Sequence, residues 1–394
     1  MKEDNLEVLL INTGLFPLPP ERPAGTEFHI YHLANNLAKL GCHVHLVTEI
    51  KNKEAFHPSV TLHDFRIKKI TLKGGFASWL LLHFIGGFHS FIKTLEVLPK
   101  HYYTVIHLHG RLAPMLISRI PLGAPTVYTI HDMSPWLWKG KMNLIEEVIR
   151  KTSYLAMELQ TMKKVSHIIA VSKTIYNELL KSFQISPEKV TYIPNGVDTN
   201  YFKPAKYKQP IILYAGRLSR RKNVKTLIKA FADFKHKNRD RECKLVIVGE
   251  GEEKTHLVKL TKRFNITNNV VFLTNISSRQ LRTLYSFASI YVLPSKAEGL
   301  PLSMLEAMAS GCAIIATKVP GIVDVVEHGS TGLLVEPDNV KQLAQALEQL
   351  LSDPNLRRRL STNAREVVIR EYSWDRVAEK TIKVYRRVIE EHWR

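Results

Sequence analysis

The stretch Pro194-Asn-Gly-Val-Asp-Thr-Asn-Tyr-Phe-Lys-Pro204 decides how the chain is organised, because one pattern of apolar runs ends before it and starts again after it. Two prolines and an Asn-Gly are turn and breaker chemistry, so a domain boundary is expected there. On its N-terminal side, short apolar, β-branched runs occur at Glu7–Asn12, Val44–Thr48, Val105–Leu108, Thr126–Thr129, His167–Val171 and Val190–Ile193. Helical patterns lie between them, as in Phe28–Lys39, where Phe28, Leu33, Leu37 and Leu40 share a face. On its C-terminal side the strand-like runs are Ile211–Ala215, Leu245–Val248, Val270–Leu273, Ile290–Leu293, Ala313–Ala316 and Gly332–Val335. Short continuous apolar strands separated by helices predict parallel sheets covered on both faces. The expected fold class is therefore α/β, with two doubly wound domains in tandem facing a cleft. Their expected limits are residues 1–197 and 198–373, followed by a helical segment over 374–394.

A length of 394 residues with 45% hydrophobic and 23% charged residues suits two domains that each bury a core. The cysteines Cys42, Cys243 and Cys312 lie far apart and form no C-x-x-C pair, which argues against a disulfide framework or a zinc knuckle and fits a reducing compartment. The start, MKEDNLEVLLINTG, does not read as a signal peptide, and no stretch reaches the roughly 18–20 apolar residues that span a bilayer. A cytoplasmic location is expected. The net charge of +20 is uneven, with +6 on residues 1–200 and +14 on the remainder. Such a surface attracts polyanions, anionic membranes or phosphorylated ligands, and equally describes a solvated face with no partner.

Ligands of doubly wound sheets bind beyond the carboxyl ends of the strands, so the loops there carry the argument. After Ile211–Ala215 comes Gly216-Arg-Leu-Ser-Arg-Arg-Lys222-Asn223. Arg217 offers a planar fork and Lys222 a point charge near a helix start, a pair suited to a pyrophosphate or simply to a basic surface loop. After Leu245–Val248, Gly249-Glu-Gly251 is a weak signal, usually just a turn. The loop Pro294-Ser-Lys-Ala-Glu298-Gly299-Leu300-Pro-Leu-Ser-Met-Leu-Glu306-Ala-Met308 is the strongest. Amides near Gly299 and Leu300 suit an anionic diphosphate, and Glu306, inside an otherwise apolar helix, suits the vicinal hydroxyls of a ribose. In the first half, the loop from Gly14 to Gly25 is proline-rich and is not G-x-G-x-x-G, which weakens a dinucleotide oxidoreductase. His109 and His131 close two strand runs and are either ligand contacts or hydrogen-bonded structural residues.

Taken in order, these residues resemble the large retaining glycosyltransferase family 4, glycosyl transferase group 1, of the GT-B fold. The resemblance runs through Gly25-Thr-Glu-Phe-His29, Thr129-Ile-His-Asp132, Ile168-Ile-Ala-Val-Ser-Lys173, Ile193-Pro-Asn-Gly-Val-Asp198, Gly216-Arg-Leu218, Lys222, Glu298-x7-Glu306, Ala307-Met-Ala-Ser-Gly311 and Gly332-Leu-Leu-Val335. It departs mildly at Ala24-Gly25, where the family usually has Gly-Gly, and at Lys222-Asn223, where it usually has Lys-Gly. The resemblance implies two Rossmann-like domains, an acceptor side over 1–197 and a nucleotide-sugar donor side over 198–373, with 374–394 crossing back to the first. It implies Arg217 and Lys222 on the donor diphosphate, Glu306 on the ribose, and Glu298 beside the donor sugar with Gly299 and Leu300 completing the phosphate cradle. His131 would lie near the donor sugar and Gly25 near the phosphate.

The activity so expected is transfer of a hexose from a UDP- or GDP-sugar to an acceptor hydroxyl with retention. No cofactor is expected, and no metal, because no D-x-D motif occurs. A GT-B-like sugar-nucleotide epimerase and a non-catalytic sugar-nucleotide or polyanion-binding protein are the alternatives. A nucleic-acid partner is not expected, since neither interleaved aromatics nor a binding module is found. The acceptor is a carbohydrate or a lipid-linked one. The apolar segment Gly74–Phe91, with Lys68, Lys69 and Lys73 before it, is open to two readings, a buried helix or a surface that meets an anionic membrane peripherally.

Overall fold

The computed structural model describes residues 6–12, 16–20, 25–66, 76–131 and 156–394, with the backbone alone for 76–80, 82 and 83. The described chain divides into two compact units, one of residues 1–195 with 374–394 and one of 196–373.

In the first unit the strands are β1 Glu7–Ile11, β2 His43–Thr48, β3 Val60–Asp64, β4 Val105–His109, β5 Thr126–Ile130, β6 His167–Ala170 and β7 Val190–Tyr192. They form one sheet in the order β3-β2-β1-β4-β5-β6-β7, and every pairing is parallel. Val8, Leu9, Leu10 and Ile11 are all fully buried, as expected of a strand covered on both faces. Its described helices are α1 Gly25–Lys39, α2 Phe76–Val97, α3 Leu112–Ile117 and α4 Lys173–Lys181, with a further helical stretch over 156–164. Strand β3 escapes the sequence reading because it is an edge strand whose residues after Val60 are only half buried.

The second unit has strands β8 Gln209–Ala215, β9 Lys244–Val248, β10 Val270–Leu273, β11 Ala288–Leu293, β12 Ala313–Thr317 and β13 Leu333–Val335, again all parallel, in the order β10-β9-β8-β11-β12-β13. Its helices are α5 Val224–Lys237, α6 Lys254–Arg263, α7 Ser278–Phe287, α8 Leu302–Ala309, α9 Val340–Ser352 and α10 Pro354–Glu371. Both sheets thus run 3-2-1-4-5-6 from one edge, so in each the connection reverses direction between its first and fourth strands.

The last helix, α11 Trp374–His392, belongs to the first unit. Its apolar residues recur at helical spacing, and Trp374, Val377, Ala378, Val384, Tyr385 and Val388 enter one core with Ile30, Leu33 and Leu37 of α1. Burying each large side chain is worth about 1.5–3 kcal/mol, enough to seat the helix firmly.

Helix α2 turns its large side chains outward. Leu81, Phe84, Phe88, Ile92 and Leu95 are exposed at helical spacing, whereas Gly86, Gly87, Ser90 and Thr94 face the unit. A Cβ on Gly87 would run into Leu112, and the Ser90 hydroxyl donates to the Asn12 carbonyl at 2.6 Å. The buried-helix reading therefore fails for half of this helix, which packs through its small and polar face. Lys68, Lys69 and Lys73 fall outside the described residues. Among the described residues no helix is long and apolar enough to cross a membrane.

Candidate active site

In the second unit the switch point lies between β8 and β11, and the two strongest sequence signals follow those strands. The turn Arg220–Lys222 is a 3-10 turn, and Asn223, at φ 56°, separates it from α5. Lys222 accordingly stands just before the cap residue of α5 rather than within the helix. Its Nζ donates to Glu298 Oε1 at 2.6 Å. The Lys296 amide donates to the Arg221 carbonyl at 2.9 Å and the Asn223 side chain to the Pro294 carbonyl at 3.2 Å, so the two loops are tied together. The Tyr214 hydroxyl donates to the Arg217 carbonyl at 2.9 Å, while the Arg217 side chain is exposed.

Glu298 is buried. Burial alone would push its carboxyl up, but Lys222 and then Arg221, with the hydrogen bond from Lys222 and the nearby Ser295 hydroxyl, hold it below the usual carboxylate range. Gly321, at φ +78°, lies under this loop, where a Cβ would run into the Gly299 carbonyl oxygen. The third loop is knit in as well, since the Leu218 amide donates to the Glu250 carbonyl at 2.8 Å and a Cβ on Gly251 would strike the Leu218 backbone. Gly249 and Gly251 thus have a packing role that a G-x-G fragment alone could not reveal.

Helix α8 starts after Gly299, Leu300 and Pro301 with no side-chain cap; the Met304 and Leu305 amides donate to the Pro301 carbonyl, while the positive end formed by its first turn faces outward from the helix and suits an anion. Glu306 is the fifth residue of this helix. Burial pushes its carboxyl up to about 7, offset in part by the neighbouring Tyr285 hydroxyl. Lys222, Glu298, Gly299 and Leu300 are therefore brought together by two loops, with Glu306 on the helix that follows.

The first unit holds a different chemistry at its own switch point, between β1 and β4. Gly25 opens α1, and a Cβ there would meet nothing within 4 Å. One turn onward, His29 joins His107 and His109 of β4 and His131 after β5. His109 Nδ1 and His131 Nε2 share a hydrogen bond of 3.0 Å, His29 Nδ1 lies 3.0 Å from Asn195 Oδ1, and His107 bonds Tyr385 at 2.6 Å and Thr129 at 2.7 Å. Burial, with a small contribution from His32 and against the Asn195 hydrogen bond, lowers His29 to about 4, and burial reinforced by neighbouring histidines holds His107, His109 and His131 well below the usual imidazole value. The four rings are neutral at pH 7. Burial likewise pushes Glu27, in the first turn of α1, up to about 7. His107 and Glu27 were not singled out by the sequence reading, since a buried histidine inside a strand and a glutamate in a helix turn carry no spacing signal of their own. Ala24 and Asp132 lie outside the described residues.

Two parallel six- and seven-stranded units, one with a charged loop pair at its switch point, define the GT-B architecture of sugar transferases. Comparison with known proteins makes the assignment specific. The family model for glycosyltransferase family 4 matches residues 23–201, and that for glycosyl transferases group 1 matches residues 197–367. An uncharacterised glycosyltransferase of Methanocaldococcus jannaschii is 27% identical over 389 residues, covering 94% of this chain and 96% of that one. Among solved structures, sucrose-phosphate synthase of Thermosynechococcus elongatus superposes with a TM-score of 0.79 at 23% identity over 99% of this chain and 100% of its own. Anabaena HepE in complex with UDP and glucose superposes with a TM-score of 0.71 at 18% identity over 96% and 99%. The chain belongs to glycosyltransferase family 4 and is a glycosyltransferase.

Proposed function

We propose that the chain moves a hexose from a UDP- or GDP-sugar to an acceptor hydroxyl with retention of configuration, and that the transfer needs no metal ion. The observation that carries this reading is the pair of half-buried Lys222 and buried Glu298 at the switch point of the second sheet, beside the uncapped start of α8. Cleavage of the anomeric bond leaves negative charge on the departing diphosphate. Lys222, Arg217 and the first amides of α8 stabilise that charge more as it grows, the role a divalent cation would otherwise fill. Lys222 then turns from Glu298 to phosphate oxygen, and Glu298 accepts hydrogen bonds from hydroxyls of the donor sugar. Glu306 accepts the two ribose hydroxyls, whose donation favours its ionised form. The neutral His131 offers one ring nitrogen to a sugar hydroxyl. The UDP bound by HepE supports testing UDP-sugars first.

Nucleotide release from UDP- and GDP-sugars, followed with the full chain in chelator, tests this. Release from one donor, undiminished by chelator and lost in Lys222→Ala, is expected; turnover abolished by chelator alone would refute the metal-independent part.

The outward face of α2 favours a lipid-linked acceptor taken from an anionic membrane surface. Phe84, Ile85, Phe88, His89 and Leu112 line an apolar groove of about 310 Å³, flanked on the same helix by Lys93 and followed by Lys100. Exposed apolar area joined to lysines is what an interfacial helix uses. Co-sedimentation with vesicles containing anionic lipid is expected, and weakened in a Phe84→Ser, Phe88→Ser variant; equal recovery in the supernatant for both chains would end this reading.

A further inference from the structure

A second group of histidines lies on the other face of the first sheet. Along β2, Val44 and Leu46 point into the core shared with α1 and α11, so His43 and His45, alternating with them, point to the face that α2 covers. There His45 meets His63 of β3 and His101, which precedes β4. His45 Nδ1 lies 3.0 Å from His63 Nε2, the two rings stack at 5.2 Å, and the His101 ring centre is 4.5 Å from that of His45. One ring nitrogen from each of the three can be chosen so that all lie within 4.8 Å of one another. We propose that His45, His63 and His101 form a binding site for a divalent transition-metal ion of the zinc class, tying the edge strand β3 to β2 and to the segment before β4.

Four features of the site support a metal rather than a chance meeting of rings. The first is ligand geometry. An ion about 2.0–2.1 Å from each nitrogen needs donors a little over 3 Å apart, which the His45–His63 pair nearly meets and which the exposed His101 reaches by a small rotation. The second is the outer shell. His45 Nε2 lies 3.4 Å from Glu7 Oε2, and the same carboxylate oxygen is 2.9 Å from His43 Nδ1. A carboxylate that accepts from the Nε2–H of His45 leaves Nδ1 as a lone pair aimed at the site, the arrangement that orients metal-bound imidazoles. His63 then presents Nε2 and carries its proton on Nδ1. The third is access, because burial is graded from His45 at 2% through half-buried His63 to exposed His101, giving an ion a way in. The fourth is charge state. Burial and the neighbouring histidines hold His45 below its usual value and His63 at about 4, so protons compete less for the two ring nitrogens that face the site.

The donor set also selects the ion. Three imidazoles without a direct carboxylate ligand disfavour the hard cations Mg2+ and Ca2+ and suit Zn2+, Ni2+ or Cu2+. Three protein ligands leave a fourth position to water. His29, His109 and His131 meet the same distance criterion, but there His29 Nδ1 faces an amide rather than a carboxylate. That trio belongs to the catalytic reading, and it supplies the control.

The test is calorimetric titration of the tag-free full chain with Zn2+, after passage over a chelating resin, together with the visible spectrum of the Co2+ adduct. One equivalent of Zn2+ is expected to bind, with affinity reduced at least tenfold in His63→Gln and in His101→Gln and by about 10–100-fold in Glu7→Gln. Mg2+ should give no heat, and Zn2+ should raise the thermal midpoint of the wild-type chain but not of His101→Gln. Because His101 is exposed, its replacement leaves the fold intact. Absence of Zn2+ binding by the wild-type chain would overturn the proposal. So would binding that survives both substitutions, or binding that is lost only in His131→Gln.

Discussion

The two units share a strand order and differ in what they place at its turning point. In the second, a half-buried lysine and a buried glutamate form an ion pair 2.6 Å long beside an uncapped helix end. In the first, four histidines stand where burial and mutual repulsion keep them uncharged. The topology therefore provides the same niche twice, and side-chain charge decides its use. A fixed cation with a positive helix end suits a diphosphate, whereas a neutral hydrogen-bonding wall suits sugar hydroxyls.

The sharpest way to break this contrast is to remove its charge. Lys222→Ala should lower transfer by about 100–1,000-fold, since one preorganised donor to the leaving group is lost. It should also cost about 3–5 kcal/mol of stability, because Glu298 is left buried and unpaired. Adding Glu298→Gln should recover most of that stability but none of the activity, as read by denaturant unfolding and initial rates. If the double variant regains transfer, the pair is structural.

A smaller effect is expected in the first unit. His131→Ala should reduce turnover by about 10–100-fold while leaving nucleotide affinity unchanged, a split that calorimetry and initial rates resolve together.

The units should also part company in acid. Histidines whose folded values are depressed add stability above about pH 6.5 that is lost as pH falls, each by up to about 1.4 kcal/mol per pH unit. Glu306, raised to about 7, works the other way and adds stability at low pH that is lost as pH rises through 7. Between pH 6.5 and 4.5 the first unit should weaken, with Glu27 opposing the trend by one group, while the part of the second around Glu306 does not. Hydrogen exchange at pH 7 and pH 5 should show protection lost first in β4 and β5. Equal loss in both sheets would count against neutral histidines.

The smallest change tests the loop's support. Gly321→Ala should weaken nucleotide binding by about tenfold, as measured by calorimetry, by displacing the Gly299 carbonyl.

The sequence made the two parallel sheets legible because fully buried strands read as unbroken apolar runs. The edge strand β3, half buried, left no such trace. Glu298, Gly299, Leu300 and Glu306 were legible because a glycine–proline loop and a glutamate within an apolar helix are locally odd. The Lys222–Glu298 contact joins residues 76 positions apart and was invisible until the sheet brought their loops together. The His45, His63 and His101 group was hidden for the same reason, as was the outward turn of α2, whose apolar count alone cannot say which face the unit covers. Lys222 lies just before the left-handed Asn223 that caps α5, and there it meets a carboxylate that no local spacing announces.

The central claim is that the charged switch point of the second unit, and not the histidines of the first, holds a nucleoside diphosphate. Calorimetric titration of the full chain with UDP, GDP and ADP, repeated with Glu306→Ala, Lys222→Ala and His131→Ala, tests it most directly. The account predicts that one nucleotide binds, that Glu306→Ala and Lys222→Ala weaken it at least tenfold, and that His131→Ala does not. Binding lost in His131→Ala but retained in Lys222→Ala would contradict it, as would failure of all three nucleotides to bind.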